Sequence, residues 1–512
     1  MRWLPQGEVP TLGNWFRAAG YDTHYDGKWH ISHADLTDPV TGKPLATNDD
    51  AGTIDPHAVQ AYLDADPLGP YGFSGWVGPE PHGAPLANSG LRRDPLIADR
   101  VVAWLEDRYA RRRAGDADAL RPFLLVASFV NPHDIVLWPA WQRHNPVAPS
   151  ELDPPPVPES PTRHESLVDK PAAQIAYRQA YYTGYGPAPA VQKMYERDEQ
   201  GYRDLYYRLH AEADGPLDRV RRAVTEGGST DAVLVRSADH GELLGSHGGL
   251  HQKWFQLYDE ATRVPFLIAR IGERATTPRT VSAAPTSHVD LVPTLLDVAG
   301  IDQASTAAVL AETFSEVHPL PGRSLVPYLD GAPDDTGRAV YVMTRDNMLE
   351  GDTKASGFAR QMGKGDDPPL PLRIQVPAHV GANFEGLVVR VAEADAAGGA
   401  DHLWKLVRTF DDPDTWTEPG VRHLAADGFT GEAFRTTPLA DEWELYDLDA
   451  DPIEAVNRRR DPAVAAVFAH LRERLTLERL GAIPQRNQPW PYVTRAGRPG
   501  RGRTAAQPQE AR

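Results

Sequence analysis

The sequence predicts an α/β fold: a doubly wound mixed sheet flanked by helices, with a smaller C-terminal antiparallel sheet plus helix. Short apolar runs, typical of strands buried on both faces, alternate with amphipathic helices over the first two thirds of the chain. After about Arg338 strand-like segments follow one another without intervening helices. We therefore expect an α/β domain at 1–338, an α+β subdomain at 339–490 and a disordered tail at 491–512.

The first elements follow this alternation. Thr11 is a candidate N-cap of an amphipathic helix that ends at Gly20, and residues 21–26 predict a short strand. Residues 31–90 are rich in Gly, Pro and Asp and predict long surface loops. A second helix, with Ile97 to Leu105 on its apolar face, follows them.

Apolar runs predict the remaining strands. Those at 123–130, 232–235 and 264–271 are expected to be buried strands of the central sheet, and a helix is expected at 290–299. The C-terminal elements are predicted as strands at 340–344, 384–391, 403–410 and 442–448 and a helix at 463–480.

Composition excludes several classes of function. The net charge of −18 argues against general nucleic-acid binding and against adhesion to an anionic membrane, since both need clustered Lys and Arg. The absence of cysteine excludes disulfides, thiolate metal sites and a cysteine nucleophile. No apolar run has the length of a membrane span or of a signal-peptide core. The chain as written is expected to be cytoplasmic, and its location is unknown if an upstream signal is missing.

The strongest local motif is SADHGELLGSHGGLHQK, from Ser237 to Lys253. Asp239 and His240 directly follow a predicted strand, at the edge where open α/β sheets bind ligands, and both side chains are competent metal ligands. Lys253 is a candidate donor to an anion held by that metal. The alternative is a strand-to-helix turn with the aspartate as a helix cap and the histidine on the surface.

Two further motifs also follow predicted strands. Lys28 and His30 lie two residues apart and offer a cation beside an imidazole, which suits an oxyanion. The alternative is a solvated lysine and a histidine packed on Trp29. His133, in Asn131–Asp134, is a candidate general acid because its reference pKa lies near neutrality; the alternative is a simple turn.

Taken in order, these motifs resemble the sulfatase family of the alkaline-phosphatase superfamily. The resembling segments are Pro10–His30, Phe129–His133, Ala238–Lys253, Arg263–Pro265, His288–Gly300, Gly322–Leu325 and Glu444–Glu454. The resemblance implies an alkaline-phosphatase-like fold and a metal-dependent hydrolase of sulfate esters.

The resemblance also implies a metal site and a nucleophile. It places Asp239 and His240 on a divalent cation, calcium in the first place, with manganese as the alternative. In the family the nucleophile is a formylglycine, made from Cys or Ser in a C/S-x-P-x-R sequence.

Roles for four more residues follow from the resemblance. Lys28, His30 and Lys253 are expected around the nucleophile and the sulfate group. His133 is expected to contact the substrate or to protonate its leaving group.

The chain departs from the family pattern at its start. In the family, a first strand ending in an Asp-Asp pair and the nucleophile motif precede the lysine-tryptophan-histidine segment, and residues 1–24 contain neither. Asp49-Asp50 follows no apolar strand and is interpreted as a polar loop. We expect a wrongly chosen start or a truncated chain, rather than a natural pseudoenzyme, and no turnover by the chain as written.

The function expected of the complete protein is hydrolysis of a small-molecule sulfate monoester or a related anionic ester, with neither nucleic acid nor membrane as a partner. One alternative is a phosphonate monoester or phosphodiester hydrolase of the same superfamily. Another is a non-catalytic remnant that binds an anion or a partner protein.

Overall fold

A computed structural model describes most of the chain. The described residues are 3–81, 85–144, 146–182, 188–229, 231–272, 284–345, 380–391, 401–416, 420–424 and 434–488. The tail predicted at 491–512 therefore lies outside the described residues. Among those described, no helix is both long enough and apolar enough to cross a membrane.

Helices and strands alternate through the first part of the chain. The α-helices are α1 (Leu12–Ala18), α2 (Pro56–Ala65), α3 (Gly90–Arg113), α4 (Ala117–Leu120), α5 (Trp138–His144), α6 (Ala172–Tyr181), α7 (Ala188–Arg197), α8 (Glu199–Glu226), α9 (Ser246–Gly249), α10 (Asp259–Thr262), α11 (Leu291–Val298), α12 (Gln303–Leu310), α13 (Val326–Leu329) and α14 (Ala465–Ala482). The strands are β1 (Asp22–Gly27), β2 (Phe123–Ser128), β3 (Asp231–Arg236), β4 (Leu267–Gly272), β5 (Ala339–Arg345), β6 (Asn383–Val391), β7 (His402–Phe410), β8 (His423–Leu424), β9 (Phe434–Arg435) and β10 (Glu442–Asp447).

Helix α1 begins after Thr11, the N-cap that the sequence predicts. The Thr11 hydroxyl accepts hydrogen bonds from the backbone N–H groups of Gly13 and Asn14, and the Asn14 side chain accepts one from the Thr11 N–H. This reciprocal arrangement is a capping box, which satisfies donors left open by the first helical turn. Gly20, with φ of +85°, then turns the chain into β1.

The strands of the α/β domain lie between two helical layers. On β2, Leu124 packs against the cluster formed by α1, α11 and α12, whereas Leu125 packs against the cluster formed by α3 and α8. Successive strand residues point to opposite faces, so both faces of this strand are covered by helices. The prediction of a doubly wound α/β domain is confirmed.

The central strands are less buried than predicted. All six residues of β2 and the inner four of β3 and of β4 keep intermediate exposure. Within the described ranges, β2 pairs in parallel with β1 alone, and β3 pairs antiparallel with β4 alone. Ala232 of β3 packs in the same cluster over α3 and α8 as Leu125 of β2. The expectation of full burial was wrong because β2 and β3 pack on the same helical layer without pairing with each other.

The segment at 31–90 is more than surface loop. It contains α2 and contributes a buried aromatic cluster under β1, in which Tyr62, Tyr71 and Trp76 are at most 6% exposed. Trp29 packs in the same cluster. The prediction of long surface loops was therefore wrong. It was based on the Gly- and Pro-rich composition, whereas the large aromatic residues of the same segment pack together in the core.

The C-terminal part matches its prediction closely. Strands β10, β7, β6 and β5 form an antiparallel sheet in that order, and α14 packs on it through Val467, Leu471 and Leu475. Lys405 of β7 reaches back to the α/β part of the chain, where its ammonium group pairs with Asp259. Glu454, in the C-terminal part, lies 2.9 Å from the same ammonium group. A smaller antiparallel sheet plus helix is thus confirmed.

Candidate active site

The ends of β1 and β3 meet through Lys28 and Asp239. The Lys28 N–H donates to the Ser128 carbonyl at 2.9 Å, which extends the β1–β2 ladder by one residue. The Lys28 ammonium group lies 3.6 Å from the Asp239 carboxylate, with the lysine side chain only 13% exposed. Lys28 is therefore a paired, largely buried cation, in contrast to the alternative of a solvated lysine.

Gly27 permits the close approach of the two strands at this point. Its φ is +108°, and a Cβ on it would lie 1.9 Å from the Ser128 carbonyl oxygen. Only glycine fits there, because any side chain would collide with the neighbouring strand.

His240 and Asp239 form a compact donor pair. His240 Nε2 lies 3.4 Å from an Asp239 carboxylate oxygen, and His240 Nδ1 lies 2.9 Å from the Gly241 carbonyl. A carbonyl can only accept, so Nδ1 carries the proton. Burial, followed by the charge of Lys253, lowers the pKa of His240 below 6.5, which leaves the ring neutral and its Nε2 lone pair near the carboxylate.

Gly241 holds the turn that follows this pair. A Cβ at this position would lie 2.0 Å from the Glu260 carbonyl oxygen. The N–H groups of Gly241 and Glu242 donate to the carbonyls of Ala261 and Glu260, both at 2.9 Å. The segment after β3 is thus a loop fixed against α10, and no helix starts at Asp239.

Charges of both signs converge around Asp239. Partial enclosure by protein would raise the pKa of its carboxyl, but Lys28, then His240 and Lys253, hold that pKa below 3.8, and 65% of the side chain stays open to solvent. Burial lowers the pKa of Lys253, and the nearby charge of Lys28 lowers it further. Lys28 therefore pairs with a solvent-accessible carboxylate, and Lys253, from a distant segment, lies within electrostatic range of both groups.

His30 is a neutral member of the same group. Burial lowers its pKa to about 4, with further contributions from Lys28 and Lys253. Its ring packs edge-on against Trp3, with centroids 5.1 Å apart. The neutral ring keeps one donor and one acceptor nitrogen near neutral pH.

His133 lies in the segment that follows the neighbouring strand, β2, at the same edge of the sheet. The register pairs Gly27 with Ser128, so the segments that contain Lys28 and His133 leave the sheet side by side. His133 begins a 3₁₀ helix, and its N–H donates to the Val130 carbonyl at 3.0 Å. The β1–β2 register therefore brings the segment that contains His133 to the same edge of the sheet as the segment that contains Lys28.

Two buried carboxyl groups hold the His133 loop against α3. Asp94 accepts hydrogen bonds from the N–H groups of Val130 and Asn131, at 2.6 and 3.0 Å, and Asp134 accepts one from the Gly90 N–H at 2.6 Å. Burial raises the pKa of Asp94 to about 7 and that of Asp134 to about 8. Lys28 lowers both of these pKa values, so the loop lies within electrostatic range of Lys28.

The donor set accommodates a metal ion only in part. Asp239 and His240 offer two ligand atoms close together, whereas Ca²⁺ prefers about six to eight oxygen ligands. Among the described residues no group of three or more His, Asp or Glu side chains is arranged to hold a metal. These residues therefore fit two ligand positions, and the described chain does not by itself complete a calcium site.

Two other candidate features have structural roles. Asp49 accepts hydrogen bonds from Ala51 and Thr53 N–H, as a polar loop should. Tyrosines are frequent in α6 to α8, where they could either line a substrate pocket or pack between helices in the core. Their buried members Tyr181, Tyr195 and Tyr202, at most 3% exposed, pack around the His251 ring, which favours the core interpretation.

His247, to which the sequence motif assigns no role, fixes the segment Ser237–Lys253 from its buried side. Its fully buried ring stacks on Tyr258 with centroids 3.5 Å apart. Its two nitrogens lie 2.9 Å from Glu165 and 3.4 Å from Glu260. Burial alone would lower the pKa of His247, but the hydrogen bonds to Glu165 and then Glu260 outweigh it and raise the pKa above 6.5.

This raised pKa predicts a pH dependence of stability. Because the folded pKa exceeds the unfolded one, the stabilisation is fully present below about pH 6.5 and is lost as the pH rises through the folded value. In His247→Gln we expect this part of the dependence to vanish in thermal melts from pH 6 to 9. The exposed His57→Gln is the matched control; equal melting profiles for wild type and His247→Gln would contradict the assignment.

Comparisons with known proteins identify the family of the chain. The family model described as sulfatase matches residues 2–301. Among curated relatives, uncharacterized sulfatase YidJ of Escherichia coli (strain K12) is 26% identical over 300 residues, 58% of this chain and 54% of that protein. Choline-sulfatase of Rhizobium meliloti (strain 1021) is 25% identical over 336 residues, 64% of this chain and 57% of that protein.

A solved structure of a 2-O GAG sulfatase shares the fold, with a TM-score of 0.54 and 18% identity over 94% of this chain and 76% of that chain. The chain spans about half the length of the curated relatives it matches. Members of this family generally use a divalent metal ion and formylglycine. Because the family model covers more than half of its residues, the chain belongs to the sulfatase family.

Proposed function

We propose that the protein is a metal-dependent hydrolase of sulfate monoesters, active in a form that also carries a nucleophile segment. The observation that carries this proposal is the pairing of Lys28 with Asp239 at 3.6 Å. It joins two motifs that are distant in sequence at the carboxyl ends of β1 and β3, and open α/β sheets bind ligands at the carboxyl ends of their strands.

The lysines suit the substrate of such a reaction. Lys28 and Lys253 lie close enough for one charge to depress the other's pKa, an arrangement that an anion would stabilise. Ammonium groups donate charge-assisted hydrogen bonds to sulfate oxygens, and they count most where charge develops in the transition state. Neutral His30 provides a further donor or acceptor, and His133 is proposed to contact the substrate or to protonate the leaving oxygen.

Asp239 and His240 are proposed as two ligands of the metal ion. Calcium is the first candidate and manganese the second, since a carboxylate suits both and an imidazole suits manganese better. When bound, the ion would supply neutralisation of the ester's negative charge. The Lys28 ammonium group, which now pairs with Asp239, would then be available to the sulfate.

The open sheet supports the proposal that the active form contains a further strand. Both β2 and β3 lie over the α3–α8 layer, each with one edge unpaired among the described residues. A strand placed between them would satisfy backbone groups that each cost about 1–3 kcal/mol when buried without a partner. No C/S-x-P-x-R sequence occurs in the 512 residues, so we propose that the completing segment also supplies the nucleophile.

The DNA upstream of the Met1 codon tests this proposal. We expect an in-frame apolar strand ending in Asp-Asp, followed by C/S-x-P-x-R, and a protein expressed with this segment should release sulfate from an aryl sulfate. The 512-residue chain alone is the control and should show no turnover. An upstream sequence without these features would favour the non-catalytic remnant.

A further inference from the structure

Glu80 lies beneath the lysine-tryptophan-histidine segment and contacts its backbone. Both carboxylate oxygens of Glu80 lie 3.1 Å from the Trp29 N–H, and the His30 N–H also donates to this carboxylate. One side chain therefore accepts two successive backbone donors, although Glu80 is about fifty residues away in sequence.

The backbone at this point needs such support. His30 has φ of +46°, a left-handed conformation that residues other than glycine rarely adopt. Successive N–H groups around a left-handed residue form a concave anion-binding nest, and a carboxylate is a suitable occupant. The bound carboxylate compensates for the unfavourable conformation and fixes the turn between Lys28 and His30.

Glu80 is itself held firmly. Its N–H donates to Asp35 at 2.6 Å. Arg93, a buried residue of α3, donates to the carbonyls of Val77, Gly78 and Pro79 at 3.0 to 3.2 Å. The same loop also holds the end of β1, because the Trp76 indole donates to the Gly27 carbonyl at 2.7 Å.

We propose that Glu80 is a positioning residue of the active site, which aims Lys28 and His30 by occupying the backbone nest at Trp29–His30. It acts through the backbone and does not touch the reacting atoms. Its importance for catalysis rests on the proposed sulfatase function. Its positioning role can be tested on the 512-residue protein without any activity measurement.

The test compares Glu80→Ala, Glu80→Asp and Glu80→Gln by NMR, with His30 and the Trp29 and His30 amides assigned. In Glu80→Ala we expect both amides to exchange up to about tenfold faster, as when one hydrogen bond is lost, and the His30 ring resonance to shift. Glu80→Gln keeps one acceptor and should restore the ring resonance, with intermediate exchange.

Asp38→Ala is the matched control, since Asp38 accepts two backbone N–H groups, from Val40 and Thr41, in the same segment. It should leave the amide exchange of Trp29 and His30 unchanged.

If Glu80→Ala does not fold, Glu80→Asp decides, because its shorter side chain should give faster exchange of both amides. Unchanged exchange and an unchanged His30 resonance in a folded Glu80 variant would overturn the proposal. Lack of sulfatase activity in the completed protein would overturn the proposed function alone.

Discussion

Lys253→Ala is expected to lower kcat/KM for an aryl sulfate by about a hundred- to a thousand-fold in the completed, formylglycine-bearing protein, the usual effect of removing one donor to a developing oxyanion. Lys253 is buried enough for its pKa to fall, and it shares the site with Lys28 and Asp239. Glu242 and then Asp239 offset part of this lowering, and a bound sulfate group would add a further anion beside the two lysines.

Excess divalent metal should leave the Lys253→Ala defect unchanged, because the missing group is a hydrogen-bond donor and not a metal ligand. The exposed Lys193→Ala serves as the control and should retain full activity. Near-normal kcat/KM in Lys253→Ala would make Lys253 a structural lysine and remove it from the mechanism.

Asp239→Asn is expected to reduce kcat/KM by at least about a hundred-fold, since Lewis-acid stabilisation by a bound metal ion is worth several kcal/mol. The substitution keeps the shape of the side chain and removes its negative charge, so the main loss should be in metal affinity. A metal titration should therefore restore part of the activity, and His240→Ala should behave in the same way.

Asp49→Asn is the matched control for Asp239→Asn, since Asp49 holds only its own loop. Its activity and metal dependence should equal those of the wild type. If Lys253→Ala recovered with metal while Asp239→Asn and His240→Ala did not, the assigned roles would be reversed.

Local signals were sufficient to locate the elements. Strand β6 was predicted to begin at Phe384 and begins at Asn383, and both end at Val391. Thr11 caps α1 as expected, because capping depends on neighbours within one turn. The exposure of β2 was not predictable in this way, because the burial of a strand also depends on which strand lies beside it.

The same distinction applies to the site. Lys28, Asp239 and Lys253 were predicted as site residues because each belongs to a motif that follows a strand. Glu80 and Asp94 were missed, since each acts on a backbone segment more than thirty residues away and belongs to no recognisable pattern. Residues that belong to a short motif can be identified from the sequence. Residues that hold such a motif in place from a distant segment can be identified only from the structure.

The most direct measurement of the central claim is release of inorganic sulfate from an aryl sulfate by the completed protein, with calcium or manganese added and formylglycine verified by mass spectrometry. Hydrolysis of a phosphonate monoester, measured beside it, separates the two superfamily activities. We predict metal-dependent sulfate release that exceeds phosphonate hydrolysis and is lost in Asp239→Asn. Phosphonate hydrolysis that exceeds sulfate release, or no sulfate release despite a verified formylglycine, would contradict the claim.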